Sequence, residues 1–268
     1  MFDRGTLELK VQGADIELAY LRRPGSLPTL LCLHGFGSTK EDYADLALRE
    51  DFRNRDLLFW DAPGCGASRI SDPEALSIPL LVELTQAALS ALGVDRFHLS
   101  GHSMGGLTAL LLAKANADRV LSFFDIEGNV APEDCFLSRQ IIDYPAETPD
   151  DFLAGFKARL EDRAEFSSAL YAAALDCKVQ ATSFAPIFRS MVDLSDTGDL
   201  MQIMENLTCP RAFVHGAQNA HLSYLGHLSN VGVEVIEIPQ SGHFPMYSNP
   251  PVLWAELAAF LKRHEAQT

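Results

Sequence analysis

Residues 97–113 read FHLSGHSMGGLTALLLA, a strand-like run that passes into a helix-like run with only GHSMG between them. This junction constrains the fold more than any other stretch. A buried strand that becomes a helix at once needs a sharp corner, and the apex residue is forced into strained dihedrals. Gly101 and Gly105, two positions either side of Ser103, let the chain approach itself closely enough to turn. The apex side chain then stands above the C-terminal edge of a sheet, at the head of a helix. There, free N–H groups and the positive end of the helix dipole face any developing anion. A plain glycine-rich turn uses the same letters. The strand before and the helix after are what make Ser103 a candidate nucleophile.

Such a corner needs a sheet around it, and the chain supplies one. TLELKV (6–11) and DIELAYL (15–21) alternate with period two and read as a hairpin turning at Gly13. PTLLCLH (28–34), DLLFWD (56–61), DRFHLSGH (95–102) and RVLSFFDIE (119–127) are nearly continuous apolar runs, as expected of strands covered on both faces. Helical periodicity fills roughly 39–49, 75–92 and 104–116. This rhythm predicts an α/β fold, a mostly parallel sheet with helices on both faces. The rhythm stops near 130, and helix formers without a clear strand run to about 206. Alternation resumes at CPRAFVH (209–215) and VEVIEIP (233–239), before a closing helix, VLWAELAAFLKRHE (252–265). The expected organisation is an α/β core of 1–129 and 207–268 carrying a helical insertion of 130–206. The insertion holds Phe136, Phe152, Phe156, Phe166, Tyr171, Phe184, Phe188 and Met191. At helical spacing most of these should form its own core, with a few lining an apolar pocket.

Charge narrows the partners. The formal net charge is −15 over 268 residues, with no Lys/Arg cluster. A nucleic-acid binder needs a basic face, and an anionic membrane would repel this chain. The five cysteines are scattered without a CxxC, so neither a zinc site nor a disulfide framework is expected. No apolar run approaches the roughly 20 residues of a membrane span. The start, MFDRGTLELK, has no apolar stretch behind basic residues, so no signal peptide and a cytoplasmic location are expected. No metal-ligand cluster is seen, and no GxGxxG follows a strand, so the expected partner is a small-molecule substrate with no cofactor and no metal.

A serine needs a base. Of eight histidines, His243 lies in IPQSGHFPMYSNP, a Gly/Pro-rich loop between the last strand and the final helix that can reach back over the sheet edge. His102 adjoins the serine and should point away from it by strand alternation. His34 ends its own strand and should shape the loop that follows. His221 and His227 fall in an expected helix, and His264 near the end should be solvated. The loop after LCLHGFG (31–37) can turn an amide toward the space above Ser103, making the Phe36 and Met104 N–H groups the expected oxyanion donors.

Together, HGFGS (34–38), DAPGCGAS (61–68), GHSMGG (101–106) and SGHFP (241–245), in that order, resemble the α/β-hydrolase fold superfamily. The resemblance implies serine-hydrolase machinery, a cap or lid at 130–206 and a structural role for Asp61–Ser68. It does not specify a substrate. In many relatives the acid lies in a G-x-x-D turn after the strand that here is RAFVH, but the matching residue is Asn219. An amide can orient an imidazole but cannot stabilise its cation with a charge. The strand after the nucleophile helix ends at Glu127, should neighbour the strand carrying Ser103, and can reach His243. Haloalkane dehalogenase-like and fungal lactonase-like relatives resemble this arrangement. The expected triad is therefore Ser103, Glu127 and His243. Asp125, expected to face away if its strand is regular, Asp134, and Asn219 with no acid at all remain alternatives. A serine at the apex excludes the carboxylate-nucleophile chemistry of dehalogenases and epoxide hydrolases. The expected activity is a serine hydrolase cleaving a small or medium apolar carboxylic ester, thioester or lactone through an acyl-enzyme. A carbon–carbon bond hydrolase of a diketone, or a non-catalytic small-ligand binding protein on the same fold, stays open.

Overall fold

The structure, a computed structural model, describes residues 2–162 and 168–265. Phe166 lies outside the described residues. The chain opens with a hairpin of β1 (Asp3–Val11) and β2 (Ala14–Arg23). It turns at Gln12 (φ 49°) and Gly13 (φ 88°), the left-handed pair that a two-residue hairpin turn requires. β3 (Leu27–Leu33), β4 (Arg55–Trp60) and the two-residue β5 (Arg69–Ile70) follow, then α1 (Ile78–Ala91) and β6 (Phe97–His102). Next come α2 (Met104–Ala115) and β7 (Val120–Ile126). Among the described residues, five α-helices separate β7 from the next strand: α3 (Gln140–Asp143), α4 (Pro149–Glu161), α5 (Ser168–Lys178), α6 (Phe184–Thr197) and α7 (Leu200–Asn206). β8 (Arg211–Gly216), α8 (Leu225–Asn230), β9 (Glu234–Ile238), α9 (Pro245–Ser248) and α10 (Pro250–Glu265) complete the chain.

The strands form one sheet in the order β1-β2-β4-β3-β6-β7-β8-β9, with β5 on β2. β1, β2 and β5 pair antiparallel, and every pairing from β4 to β9 is parallel. All six residues of β4 and of β6 are buried, which accounts for their continuous apolar runs. From β3 the chain steps to β4 on one side and later to β6 on the other. β3 and β6 therefore flank a switch point, and the loops leaving their C-terminal ends diverge into a crevice.

Two local expectations change. The 39–49 segment is a 3₁₀ helix, Lys40–Leu48, not an α-helix. Its buried residues, Lys40, Tyr43 and Leu46, recur every three positions, the period at which 3₁₀ side chains eclipse. His221 lies in a turn after a short 3₁₀ stretch, Ala217–Asn219, while His227 is helical.

The helical segment between β7 and β8 packs on the loops that follow β3 and β4. Lys178, the last residue of α5, donates to both Asp42 oxygens at 2.8 and 3.0 Å and to the Tyr247 hydroxyl at 3.2 Å. The Gly66 amide donates to the Lys178 carbonyl at 2.8 Å, and the Gln180 amide to Gly64 at 2.9 Å. The loop that supplies those partners is itself tied down. Asp61 accepts from the Lys40 ammonium at 2.6 Å, from the Lys40 amide at 2.9 Å and from the Ala67 amide at 2.8 Å. Among the described residues no helix is long and apolar enough to cross a membrane.

Candidate active site

Ser103 sits between β6 and α2 with φ 51° and ψ −117°, outside the regions that L-residues ordinarily occupy. The corner has room only for glycine beside it. A Cβ on Gly101 would lie 2.3 Å from the Gly105 carbonyl oxygen, and one on Gly105 would lie 2.2 Å from the Leu33 carbonyl oxygen. Strain of this kind costs about 1–3 kcal/mol per residue and persists only where the surroundings over-determine it. Here they do: the Ser103 amide donates to Ile126 at 3.0 Å and the Leu107 amide to the Ser103 carbonyl at 2.9 Å.

The neighbouring strand ends the same way. β7 stops at Ile126, and Glu127 has φ 51°. Its amide donates to Val214 on β8 at 2.9 Å. A third left-handed residue, Gln240 (φ 54°), begins the loop that carries His243. Three of the four non-glycine residues with positive φ among those described thus bracket one site; the fourth is Gln12 in the hairpin.

These strand ends bring Ser103, His243 and Glu127 together. His243 Nε2 is 3.0 Å from Ser103 Oγ, and Nδ1 is 3.3 Å from Glu127 Oε2. The carboxylate requires a proton on Nδ1, which leaves Nε2 as the acceptor facing the serine hydroxyl. Glu127 Oε1 accepts from the Gly216 amide at 2.6 Å, and Oε2 accepts from the Asn219 side-chain amide at 2.7 Å. Asn219 therefore stands beside Glu127 and holds its carboxylate.

Burial sets the electrostatics. It pushes the His243 imidazole down to about 3. It pushes the Glu127 carboxyl up to about 7, against the opposing pull of the Gly216 and Asn219 hydrogen bonds. Both groups resist charge here, so the imidazole is held neutral.

The other acids fall elsewhere. Asp125 is fully buried, with its carboxylate against Gly106 and Gly128, and the carboxylate that bonds His243 is that of Glu127. The expectation that strand alternation would turn it from Glu127 needs correction. Residues two apart share a face in a regular strand. What separates them is the backbone break at Glu127. Burial raises the Asp125 carboxyl well above the usual range. Asp134 accepts from the Val130 and Ala131 amides, both at 2.8 Å, and from the Tyr224 hydroxyl at 2.6 Å. Burial pushes it up to about 7.

The loop that carries His243 is held by a residue whose part the sequence did not reveal. His102 is buried, and its Nε2 donates to the His243 carbonyl at 2.7 Å. It points away from the serine, as alternation requires, and so meets the loop. Gly35 makes way for it, since a Cβ there would lie 2.4 Å from His102 Nδ1. His34 accepts the Ala62 amide on Nε2 at 2.9 Å and shapes its own loop. Phe36 follows, its carbonyl accepting from the Tyr171 hydroxyl at 2.9 Å. Met104 is the first residue of α2, where an amide has no carbonyl a turn behind it.

Above Ser103 lies a narrow pocket lined by Phe36, Asp134, Leu137, Ser138, Tyr171, Phe188, Met191, His243 and Phe244. Its free volume of about 10 Å³ is close to one water. Of the aromatic residues in the helical segment, Tyr171 and Phe188 reach this wall. Phe152, Phe156 and Phe184 pack behind it, with Phe36 joined to the cluster at 4.6 Å from Phe184 and 4.8 Å from Phe188. Phe136 lies edge-on to the His243 ring at 4.9 Å.

A strained apex serine, a histidine loop and a parallel sheet with a switch point define a hydrolase scaffold of one family. Residues 30–257 match the model of the Alpha/beta hydrolase family, and the chain belongs to it. It is 33% identical over 140 residues to a pimeloyl-(acyl-carrier protein) methyl ester esterase of Aeromonas hydrophila, covering 52% of this chain. That match spans 50% of the esterase, so about half of that relative's length is represented here. A monoacylglycerol lipase of Mus musculus is 25% identical over 274 residues, covering 92% of this chain and 81% of the lipase. Among solved structures, the N-acyl homoserine lactonase AidH, as a mutant complexed with N-hexanoyl homoserine, superposes with TM-score 0.75 at 19% identity, covering 98% of both chains. A thermophilic esterase from Thermogutta terrifontis gives TM-score 0.75 at 19% identity, over 98% of this chain and 99% of that one.

Proposed function

We propose that this protein is a serine ester hydrolase and that residues 130–206 form the cap over its site. The observation that carries the reading is His243 spanning Ser103 and Glu127, with one ring nitrogen on each. Ser103 Oγ attacks the ester carbonyl while His243 Nε2 takes its proton. The carbon–oxygen bond of the leaving group breaks as His243 returns that proton to it. Water, deprotonated by the same nitrogen, then hydrolyses the acyl-enzyme and restores Ser103. Glu127 fixes the Nδ1–H tautomer and stabilises the imidazolium. The amides of Phe36 and Met104 receive the oxyanion. The apolar wall of Phe188, Met191 and Leu137 favours a small or medium apolar carboxylic ester, thioester or lactone. The esterase, lipase and lactonase named among the relatives support ester chemistry without choosing a substrate.

The test is initial-rate hydrolysis of p-nitrophenyl acetate, butyrate and octanoate by the wild type, Ser103→Ala and Glu127→Gln, with folding checked by circular dichroism. Multiple turnover that vanishes with Ser103→Ala is expected. A folded wild type silent on all three esters would sink the reading.

A further inference from the structure

One hydroxyl in the pocket has neither a part in the proposed chemistry nor a hydrogen-bond partner among the described residues. Ser138 lies between the 3₁₀ turn Pro132–Phe136 and α3 and is 2% exposed. It lines the space that also contains Ser103 and His243, and its Oγ has no hydrogen-bond partner among the described residues. A buried hydroxyl without a partner is costly to fold. Native proteins rarely keep one without a use for it.

The other polar groups of this pocket are already engaged. Ser103 and His243 face each other at 3.0 Å. The Tyr171 hydroxyl donates to the Phe36 carbonyl at 2.9 Å. Asp134, four residues before Ser138, accepts two backbone amides and the Tyr224 hydroxyl. The remaining walls are apolar: Leu137, Phe188, Met191 and Phe244. Besides the Phe36 and Met104 amides assigned to the oxyanion, a substrate in this space meets one side-chain donor without a partner among the described residues, the Ser138 O–H.

We propose that Ser138 is a specificity-determining residue that donates a hydrogen bond to a second oxygen of the substrate. The preferred substrate is then an ester, thioester or lactone carrying an ether, hydroxyl or carbonyl oxygen near the scissile group, not a plain alkyl ester. The inference rests on the ester-hydrolase reading and goes beyond it by naming the substrate class. A site built to bond an oxygen discriminates against an isostere that lacks it, because the donor is then buried unpaired.

The experiment uses two isosteric ester pairs. On the acyl side these are p-nitrophenyl methoxyacetate and p-nitrophenyl butyrate. On the alcohol side they are 2-methoxyethyl acetate and butyl acetate. In each pair a CH₂ replaces an oxygen. The ratio of kcat/KM within a pair is compared between the wild type and Ser138→Ala, so intrinsic reactivity cancels. The expected result is a fall in the oxygen-to-carbon ratio of about three- to tenfold in one pair, the effect of one neutral hydrogen bond. Thermal unfolding of Ser138→Ala should occur at the wild-type temperature or above it, since no structural bond is lost. Ratios unchanged in both pairs overturn the proposal while leaving the esterase reading intact. So does a fall of several degrees in unfolding temperature, which would give the hydroxyl a structural partner. Absence of Ser103-dependent turnover on all four esters removes the esterase reading, and this proposal with it.

Discussion

The sheet edge and the helical segment above it are ordered by different forces. At the edge, backbone bonds fix the positions of Ser103, Glu127 and the His243 loop. Ser103 and Glu127 are held in left-handed geometry by amides on the carbonyls of Ile126 and Val214, and the His243 carbonyl is gripped by His102. Above it, order comes from rings on rings, with Phe36, Phe152, Phe156, Phe184 and Phe188 in mutual contact. Hydrogen bonds of this kind are directional, while apolar packing tolerates repacking. The edge should therefore govern the rate of chemistry, and the segment should govern which molecules reach it.

Substitutions can break that division. Ser103→Ala should have the largest effect, roughly 10⁴-fold or more in kcat, because no other hydroxyl among the described residues bonds His243. Steady-state turnover of p-nitrophenyl butyrate measures it, and residual activity above a few per cent would move the nucleophile elsewhere. Glu127→Gln should cost at least ~100-fold in kcat, since the amide cannot stabilise the imidazolium. A near wild-type rate would return Asp125 or Asp134 to contention.

Acidification comes next. The first proton taken up by the His243–Glu127 pair disables the base on either partner. On His243 it occupies Nε2. On Glu127 it makes a donor toward Nδ1 and drives the ring proton to Nε2. With Glu127 pushed up to about 7 by burial, kcat/KM should be full above neutrality. It should then fall about tenfold per pH unit on acidification below the pair's apparent pKa. In Glu127→Gln the acidic limb should move down toward the His243 value, about 3. A wild-type profile flat from pH 8 to 5, with chemistry rate-limiting, would contradict this.

Asn219→Ala removes one charge-assisted bond from Glu127 and should lower kcat by about tenfold, leaving KM nearly unchanged. Lys178→Met is the mildest on the chemistry. It loosens the segment from Asp42 and Tyr247 without touching the edge. The unfolding temperature should drop by a few degrees, with KM shifting severalfold and kcat for the acetate ester held. If kcat falls instead, the two regions are mechanically one.

Much of this was legible in the sequence, for reasons particular to each element. The β6–α2 junction declares itself because only small residues fit where Gly101 and Gly105 touch backbone. The central strands show through continuous apolar runs. The adjacency of β6 and β7 follows from the strand–helix–strand rhythm. Other features, beside the grip of His102 on the His243 loop, were hidden. The break at Glu127 is a dihedral, and no letter marks it; reasoning from a regular strand misjudged Asp125. Asn219 reads as a missing acid until β8 is known to lie beside β7, which puts its turn against Glu127. The pocket wall was unreadable because Tyr171, Phe188 and Phe184 share one helical pattern, and only the docking of α5 and α6 decides which ring faces the serine.

The contact between Asn219 and Glu127 has a consequence for descent. The amide touches the same oxygen that faces His243, and a single base change converts an asparagine codon to an aspartate codon. A lineage could acquire a second carboxylate there while keeping the first, with the two sharing a proton beside one imidazole. Were Glu127 then lost, a carboxylate at position 219 would be the one left near the imidazole. The anion could pass from one strand to its neighbour across generations without any intermediate lacking one.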